Sequence, residues 1–194
     1  MDQKVVASAI FRGKKAKYPE SLNVPFADTR IDESEISPKV MQMIRHEKVK
    51  YVSSVVRFEG KGFKPKVRML VLTRKAAYLL EAAKIKEQVE YSTIKGISTS
   101  NLSDGIVVIH LLEDGKQVQG DVIIQCDHVF EVVTRLCMLA KKEELVAVAE
   151  GSLEFQFSPG KPGTIDFTTG HSAQVYKAKN GHLTVVGLPT AAFV

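Results

Sequence analysis

Five cationic side chains lie within the twelve residues from Arg57 to Arg68, and Glu59 is the one acidic residue among them. The segment therefore has a formal charge of about +4 at neutral pH. Arg binds phosphate through a planar fork of N–H donors, whereas Lys supplies a mobile point charge. This density of cations predicts an anion-binding site, and an ordinary solvated charged loop is the alternative.

Two runs that favour β-strands enclose the cationic segment. Residues 51–56 before it and residues 69–72 after it are rich in the β-branched, aromatic and aliphatic side chains that fit a pleated sheet. Gly60, Gly62 and Pro65 lie between the two runs and are typical turn residues. The sequence thus predicts an antiparallel hairpin that places the cations on its strands and in its turn.

Three of these cations are predicted to converge on one spot. Lys66 and Arg68 project together because side chains two residues apart lie on the same face of a strand. Arg57 approaches from the neighbouring antiparallel strand. The three side chains could then surround a single phosphate group.

The composition of the whole chain limits the kinds of partner. The chain has 194 residues, 44% of them hydrophobic, which is enough for one domain or for one domain with an extension. Its 27 Lys and Arg residues exceed its 22 Asp and Glu residues by only five, which favours a localised anionic partner over extensive DNA wrapping. Two cysteines suggest no disulfide framework and indicate a reducing compartment.

Short strands dominate the middle of the chain, and one amphipathic helix follows them. Seven strands separated by polar turns indicate an antiparallel sandwich or open barrel. The predicted strands are residues 51–58, 66–73, 76–81, 88–92, 94–99, 105–112 and 120–125. Residues 127–142 carry apolar side chains at helical spacing, and Asp127 is the predicted N-cap of this helix.

Shorter helices are predicted ahead of the strands. Residues 3–17 form a short basic helix that ends before Pro19. Ser37 is the predicted N-cap of a second helix, whose apolar stripe contains Val40, Met43 and Ile44.

Additional strands are predicted after the amphipathic helix. Residues 173–178 and 183–186 are separated by Asn180-Gly181, a dipeptide typical of two-residue hairpins of type I′. This turn type requires positive φ at both residues.

Several segments resemble the tail homology 1 domain of class I myosins. They are EISPKV at residues 35–40, KGFKP at 61–65, GDV at 120–122, GTIDF at 163–167 and KAKNGHL at 177–183. Arg57 and Lys66-x-Arg68 also match the positions of the phosphoinositide-binding signature of pleckstrin homology domains. The resemblance implies an α+β, mostly β fold: a pleckstrin-homology-like seven-stranded antiparallel barrel or sandwich with a C-terminal capping helix, an N-terminal helical extension and extra C-terminal strands.

The resemblance also implies three divisions of the chain. Residues 1–17 are expected to be a basic helical linker from the lever, or calmodulin-binding region, and residues 187–194 a C-terminal tail. The tail homology 1 domain would span residues 18–186, with a pleckstrin-homology-like core at about 50–142 and extra hairpins at 151–186.

The family implies a membrane-anchoring function for the basic hairpin. Phosphatidylinositol 4,5-bisphosphate and other anionic phospholipids are the expected ligands, with Arg57, Lys66 and Arg68 binding the headgroup. Lys61 and Lys64 in the turn, together with Lys84 and Lys86, are expected to contact the membrane. Phe63 either enters the bilayer interface or packs against the hairpin.

The expected location is the cytoplasm, at the actin-rich cortex and peripherally on plasma or endosomal membranes. Contact with actin is expected through a motor that this chain lacks. No Walker-type phosphate loop occurs, because Gly160-Lys161 is followed by Pro162.

A second partner is implied at the N-terminal edge of the chain. Arg12-Gly13 followed by Lys17 resembles the second half of the calmodulin-binding motif Ile-Gln-x-x-x-Arg-Gly-x-x-x-Arg, and Ala7-Ser8 replace its Ile-Gln. Calmodulin or a membrane could contact the cations of this segment, and a purely structural helix is the alternative. These cations are Arg12, Lys14, Lys15 and Lys17.

The sequence also bears on three other classes of function. The five histidines show no metal-ligand spacing, so neither catalytic residues nor a metal or cofactor is expected. Nucleic-acid binding is not expected, because tryptophan is absent and the aromatic residues form no base-stacking series. A protein-interaction or cargo-adaptor module with little lipid specificity is the alternative function.

Overall fold

Residues 2–113 and 120–189, which this computed structural model describes, form four α-helices and two β-sheets. The helices are Gln3–Phe11 (α1), Tyr18–Ser21 (α2), Pro38–Ile44 (α3) and Val129–Ala140 (α4). The strands of the larger sheet are Val49–Glu59 (β1), Lys64–Thr73 (β2), Ala76–Glu81 (β3), Lys84–Glu90 (β4), Ile94–Ser100 (β5), Ile106–Leu111 (β6), Val122–Gln125 (β7) and Val146–Ala149 (β8). The smaller sheet contains Ser152–Ser158 (β9), Lys161–Thr169 (β10), Gln174–Lys177 (β11) and Leu183–Gly187 (β12).

The larger sheet has the strand order β4-β3-β2-β1-β7-β6-β5-β8. All neighbouring pairs are antiparallel except β5 and β8. The prediction of a mostly β fold with seven antiparallel strands followed by a helix is confirmed. The sheet does not close into a barrel, because its two edge strands, β4 and β8, are not paired with each other.

Three hydrophobic cores hold the described part of the fold together. In the first, Val132 and Leu136 of α4 pack with Tyr51 and Ile97 of the larger sheet. Burial of apolar surface stabilises a fold by roughly 25 cal/mol per Å². The second core lies between the two sheets and contains Phe58, Phe63, Ile106, Phe155 and Ile165. In the third, Val40 and Ile44 of α3 pack with Val52 and Val71 of the larger sheet.

Helix α1 belongs to the first core. Val6, Ala7, Ile10 and Phe11 are buried in it, so most of the segment predicted as a linker packs onto the sheet domain. None of the helices in the described ranges combines the length and the apolar character needed to cross a bilayer. Of the predicted C-terminal tail, residues 190–194 lie outside the described part of the chain.

Several predicted boundaries were wrong for local reasons. Helix α1 ends at Phe11 because Arg12 has a non-helical ψ of 123° and Gly13 has a positive φ, which a helix cannot continue through. Helix α4 begins at Val129 after His128, and no side chain caps it, so Asp127 is not its N-cap. Met43 of α3 is exposed and does not share the buried stripe of its helix.

The fourth strand begins four residues before its predicted start and ends two residues before its predicted end. It spans Lys84–Glu90 instead of residues 88–92. A tight turn after β3 already pairs Lys84 with Glu81, and the 3₁₀ turn at Tyr91–Thr93 ends the strand.

The β11–β12 connection is a hairpin, as predicted, but its turn is not type I′. The N–H of Gly181 donates to the carbonyl of Ala178, and the N–H of Ala178 donates to the carbonyl of His182. Gly181 has φ +88°, whereas Asn180 is not among the described residues with positive φ. The loop is therefore a three-residue turn in which Gly181 alone takes the left-handed conformation.

Candidate functional site

The β1–β2 hairpin places the three predicted phosphate ligands on one face. Arg57 pairs directly with Lys66 across the two strands, and Val55 pairs with Arg68. Opposed residues of an antiparallel pair lie on the same face, as do residues two apart on one strand. The backbone therefore aligns Arg57, Lys66 and Arg68 as the sequence predicted. In the turn between the strands, the N–H of Phe63 donates to the carbonyl of Gly60 over 3.1 Å.

Arg57 is buried and held by a carboxylate of a distant strand. Its Nε and Nη2 donate to the two oxygens of Glu87 over 2.9 and 2.8 Å, and its Nη1 donates to the carbonyl of Phe58 over 2.6 Å. All three guanidinium nitrogens thus have protein acceptors. This bidentate ion pair fastens β4 to β1, and a ligand could reach Arg57 only by competing with it.

Arg68 is equally buried but much less firmly held. The side chain is 6% exposed, and its Nη1 donates to the carbonyl of Val67 over 3.1 Å. Glu59 and Glu81 approach it only at 3.4 and 3.6 Å. The Nε of Arg68 has no hydrogen-bond partner among the described residues. An unpaired buried donor is costly, so a ligand oxygen that reached this N–H by displacing the neighbouring carboxylates would satisfy it.

Exposed lysines surround the two arginines. Lys61, Lys64 and Lys66 are exposed on the hairpin, and Lys84 is exposed at the start of β4. Lys86 is also exposed and lies 3.5 Å from Glu81. The hairpin and β4 therefore carry a set of cations that is accessible to a large anionic surface.

Phe63 packs inward and does not project from the hairpin. It is 5% exposed, and its ring lies 5.9 Å from that of Phe155 and 5.4 Å from that of Phe157. Of the two alternatives for Phe63, the structure shows packing, which corrects its place among the predicted membrane contacts. The exposed apolar side chain of this hairpin is Val67, which is 72% exposed and lies on the opposite face of β2 from Lys66 and Arg68.

The basic residues of the N-terminal edge divide into two groups. Arg12, Lys14 and Lys17 are exposed. Lys15 is buried, and its Nζ donates to the carbonyls of Ser100 and Leu102 over 2.7 and 2.6 Å. Burial lowers the pKa of Lys15 to about 8, although Asp104 opposes this change. Lys15 is therefore a structural residue and is not available to calmodulin or a membrane.

A hydrogen-bonded chain of Ser98, His110 and Asp121 resembles the triad of a hydrolase. The Oγ of Ser98 lies 2.8 Å from Nε2 of His110, and the Nδ1 of His110 lies 3.0 Å from Asp121. However, Ser98 is buried, and Asp121 also accepts the backbone N–H groups of Leu111 and Gln156. Because Gln156 belongs to β9, this hydrogen-bond network of Ser98, His110 and Asp121 connects the two sheets, and its role is structural.

The cysteines and the other acidic and histidine residues suggest no further chemistry. Burial raises the pKa of Cys126 to about 12, which makes it a poor nucleophile. Within residues 2–113 and 120–189, no three His, Cys, Asp or Glu side chains are grouped to hold a metal ion.

The sequence does not predict that three acidic residues contact the arginines of this site. Glu59 and Glu81 flank Arg68, and Glu87 binds Arg57. Glu59 could have been found from its position at the end of the first strand. The other two contacts depend on the register of β3 and β4, which contains an irregularity between Leu79 and Leu80.

Comparison with known proteins gives consistent matches to one family. A family model described as "Unconventional myosin tail, actin- and lipid-binding" matches residues 17–189. Human unconventional myosin-Ih is 58% identical over 188 residues, which cover 97% of this chain and 18% of that protein. Unconventional myosin-Ic of Aquarana catesbeiana is 46% identical over 187 residues, which cover 96% of this chain and 18% of that protein.

Among solved structures, the chain is similar to the Slm1 PH domain in complex with inositol 4-phosphate. The sequences are 15% identical, the TM-score is 0.40, and the match covers 52% of this chain and 99% of that one.

Proposed function

The chain belongs to the unconventional myosin tail family, described as actin- and lipid-binding, and we propose that its basic hairpin attaches a class I myosin motor to anionic phospholipids of membranes. The predicted resemblance to this family is confirmed. The chain corresponds to the tail and does not include the motor that hydrolyses ATP.

The observation that supports this proposal is the arrangement of cations around the hairpin. Lys61, Lys64 and Lys66 are exposed together, and Arg68 beside them has an unpaired Nε–H. Each basic residue close to an anionic leaflet contributes about 1 kcal/mol to binding. The three lysines would thus contribute on the order of 3 kcal/mol, which suits reversible attachment that weakens as salt rises.

The proposal also covers the lipid ligand, the cellular location and the protein partners. Phosphoinositides are the proposed ligands, with phosphatidylinositol 4,5-bisphosphate as the principal one, because the guanidinium of Arg68 and the ammonium of Lys66 suit clustered phosphates. The proposed location is the cytoplasmic face of plasma or endosomal membranes in the actin-rich cortex. Actin would be contacted by the motor of the whole protein. Calmodulin is a further proposed partner, through Arg12, Lys14 and Lys17.

Vesicle sedimentation tests the proposed function. We expect the triple variant Lys61→Gln, Lys64→Gln, Lys66→Gln to lose about 3 kcal/mol of binding to phosphoinositide vesicles, or about a hundredfold in affinity. The control variant replaces Lys48, Lys50 and Lys75 by Gln, because these exposed lysines lie at the other end of the same hairpin. Equal binding by the two triple variants would contradict the proposal and would favour the protein-interaction alternative.

A further inference from the structure

Glu59 and Glu81 lie beside Arg68 without binding it tightly. Their carboxylate oxygens are 3.4 and 3.6 Å from the guanidinium, beyond the usual 2.7–2.9 Å of a charge-assisted hydrogen bond. The Arg57–Glu87 pair of the same site reaches 2.8 Å. The side chains of Glu59 and Glu81 are 36% and 54% exposed, so either can turn into solvent at little cost. Arg68 is therefore screened by two carboxylates that a stronger anion can displace.

The binding free energy that a ligand gains by displacing the carboxylates of Glu59 and Glu81 depends on the charge of the ligand. A singly charged lipid brings Arg68 no more charge than the carboxylate that it replaces, and it must also approach the carboxylate that remains. A phosphate monoester carries up to two charges and three acceptor oxygens. It could accept from the unpaired Nε of Arg68 and also contact Lys66, which projects from the same face.

We propose that Glu59 and Glu81 determine the lipid specificity of this site: they exclude singly charged phospholipids from Arg68 and admit headgroups that carry phosphate monoesters. The inference rests on the proposed function, because it assumes that the hairpin binds lipid. Specificity here is a difference of affinities, obtained by opposing the wrong ligand as well as by binding the right one. Arg57 contributes less to headgroup binding than Arg68, because Glu87 and the carbonyl of Phe58 already accept hydrogen bonds from its three guanidinium nitrogens.

The experiment compares two vesicle types matched in surface charge density. One contains phosphatidylserine and the other contains phosphatidylinositol 4,5-bisphosphate, both in phosphatidylcholine. For the double variant Glu59→Gln, Glu81→Gln we expect affinity for phosphatidylserine vesicles to rise about tenfold, and affinity for phosphoinositide vesicles to rise about twofold. The preference for the phosphoinositide should therefore fall about fivefold. Soluble inositol 1,4,5-trisphosphate should still bind this variant, which separates headgroup recognition from general attraction to a membrane.

The matched control is Glu143→Gln, Glu144→Gln. These glutamates immediately precede β8, which lies at the opposite edge of the larger sheet from β4, and their replacement changes the net charge equally. An equal rise for both vesicle types in the two double variants would overturn the inference, since net charge alone would explain it. An unchanged preference in Glu59→Gln, Glu81→Gln would also overturn it.

The inference and the proposed function can fail separately. If the lysine triple variant loses binding but the glutamate variant keeps its preference, the hairpin binds lipid and only the role of the carboxylates is wrong. If the lysine triple variant and its control bind equally, the proposed function itself fails, and the inference fails with it.

Discussion

Replacing Arg68 by Gln is expected to reduce affinity for phosphatidylinositol 4,5-bisphosphate vesicles by about tenfold to a hundredfold, while leaving thermal stability nearly unchanged. Hydrogen bonds to a charged group contribute about 1.5–3 kcal/mol, and the variant removes the guanidinium that supplies them. Stability should change little, because the ion pairs of Arg68 are long and its acidic partners are partly exposed. Vesicle sedimentation and circular dichroism melting measure the two effects.

Two other arginine variants provide comparisons for this result. Arg74→Gln changes the net charge by the same amount as Arg68→Gln. Because Arg74 lies just after β2, at the end of the strand away from the turn, this variant should bind almost as well as the wild type. Arg57→Gln should lower the melting temperature, because it removes two charge-assisted hydrogen bonds to Glu87 in a buried position. If Arg74→Gln weakened binding as much as Arg68→Gln, the effect would be one of net charge and not of a specific site.

Replacing Glu131 by Ala is expected to destabilise the fold by about 3 kcal/mol, which lowers the melting temperature by roughly 10 °C in a domain of this size. Glu131 on α4 is 2% exposed and accepts hydrogen bonds from Arg30, the hydroxyl of Tyr51 and the N–H of Ala27. Its removal leaves Arg30 and two further donors without their acceptor. Differential scanning calorimetry of the variant measures the loss.

The same carboxylate should make stability depend on pH. Burial alone would raise the pKa of Glu131, but the hydrogen bonds from Arg30, Tyr51 and Ala27 outweigh it and hold the pKa below the ordinary value of 4.5. The stabilisation is therefore complete above about pH 4.5 and is lost as the pH falls through the lower, folded-state pKa. Glu131→Gln keeps one acceptor oxygen and lacks this titration, so its stability should fall less steeply in acid than that of the wild type. An identical acid dependence of the two proteins would show that Glu131 is not the group responsible.

The hairpin could be predicted from the sequence because its determinants are local. Alternation along residues 64–73 places Lys66 and Arg68 on one face, and the length of the turn places Arg57 opposite Lys66. The first relation follows from the twofold period of a strand and the second from the turn that joins the two strands, and the structure reproduces both. The position of a carboxylate from another strand does not follow from this period.

The difference in environment between the two arginines could not be predicted. Glu87 reaches Arg57 from thirty residues away, across a β3–β4 register that shifts at Leu79. The burial of Phe63 similarly depends on Phe155 and Phe157, which belong to a second sheet that follows the seven predicted strands. Sequence patterns show which face a side chain occupies, whereas its partners depend on how distant elements pack.

Lys15 illustrates the same limit at the N-terminal edge. It lies in a cationic segment whose other lysines are exposed, and no local pattern distinguishes it from them. Its burial depends on the carbonyls of Ser100 and Leu102, which lie more than eighty residues further along the chain.

The most direct test of the account is whether the Nε–H of Arg68 binds a headgroup phosphate. In ¹⁵N-labelled protein, the arginine Nε–H resonances can be followed by NMR during titration with inositol 1,4,5-trisphosphate, and the Arg68→Gln variant assigns the relevant signal. We expect the Arg68 resonance to shift most and to reach saturation, and the resonance of Arg57 to shift less. A saturating titration that leaves the Arg68 resonance in place would contradict the central claim that this hairpin binds the headgroup.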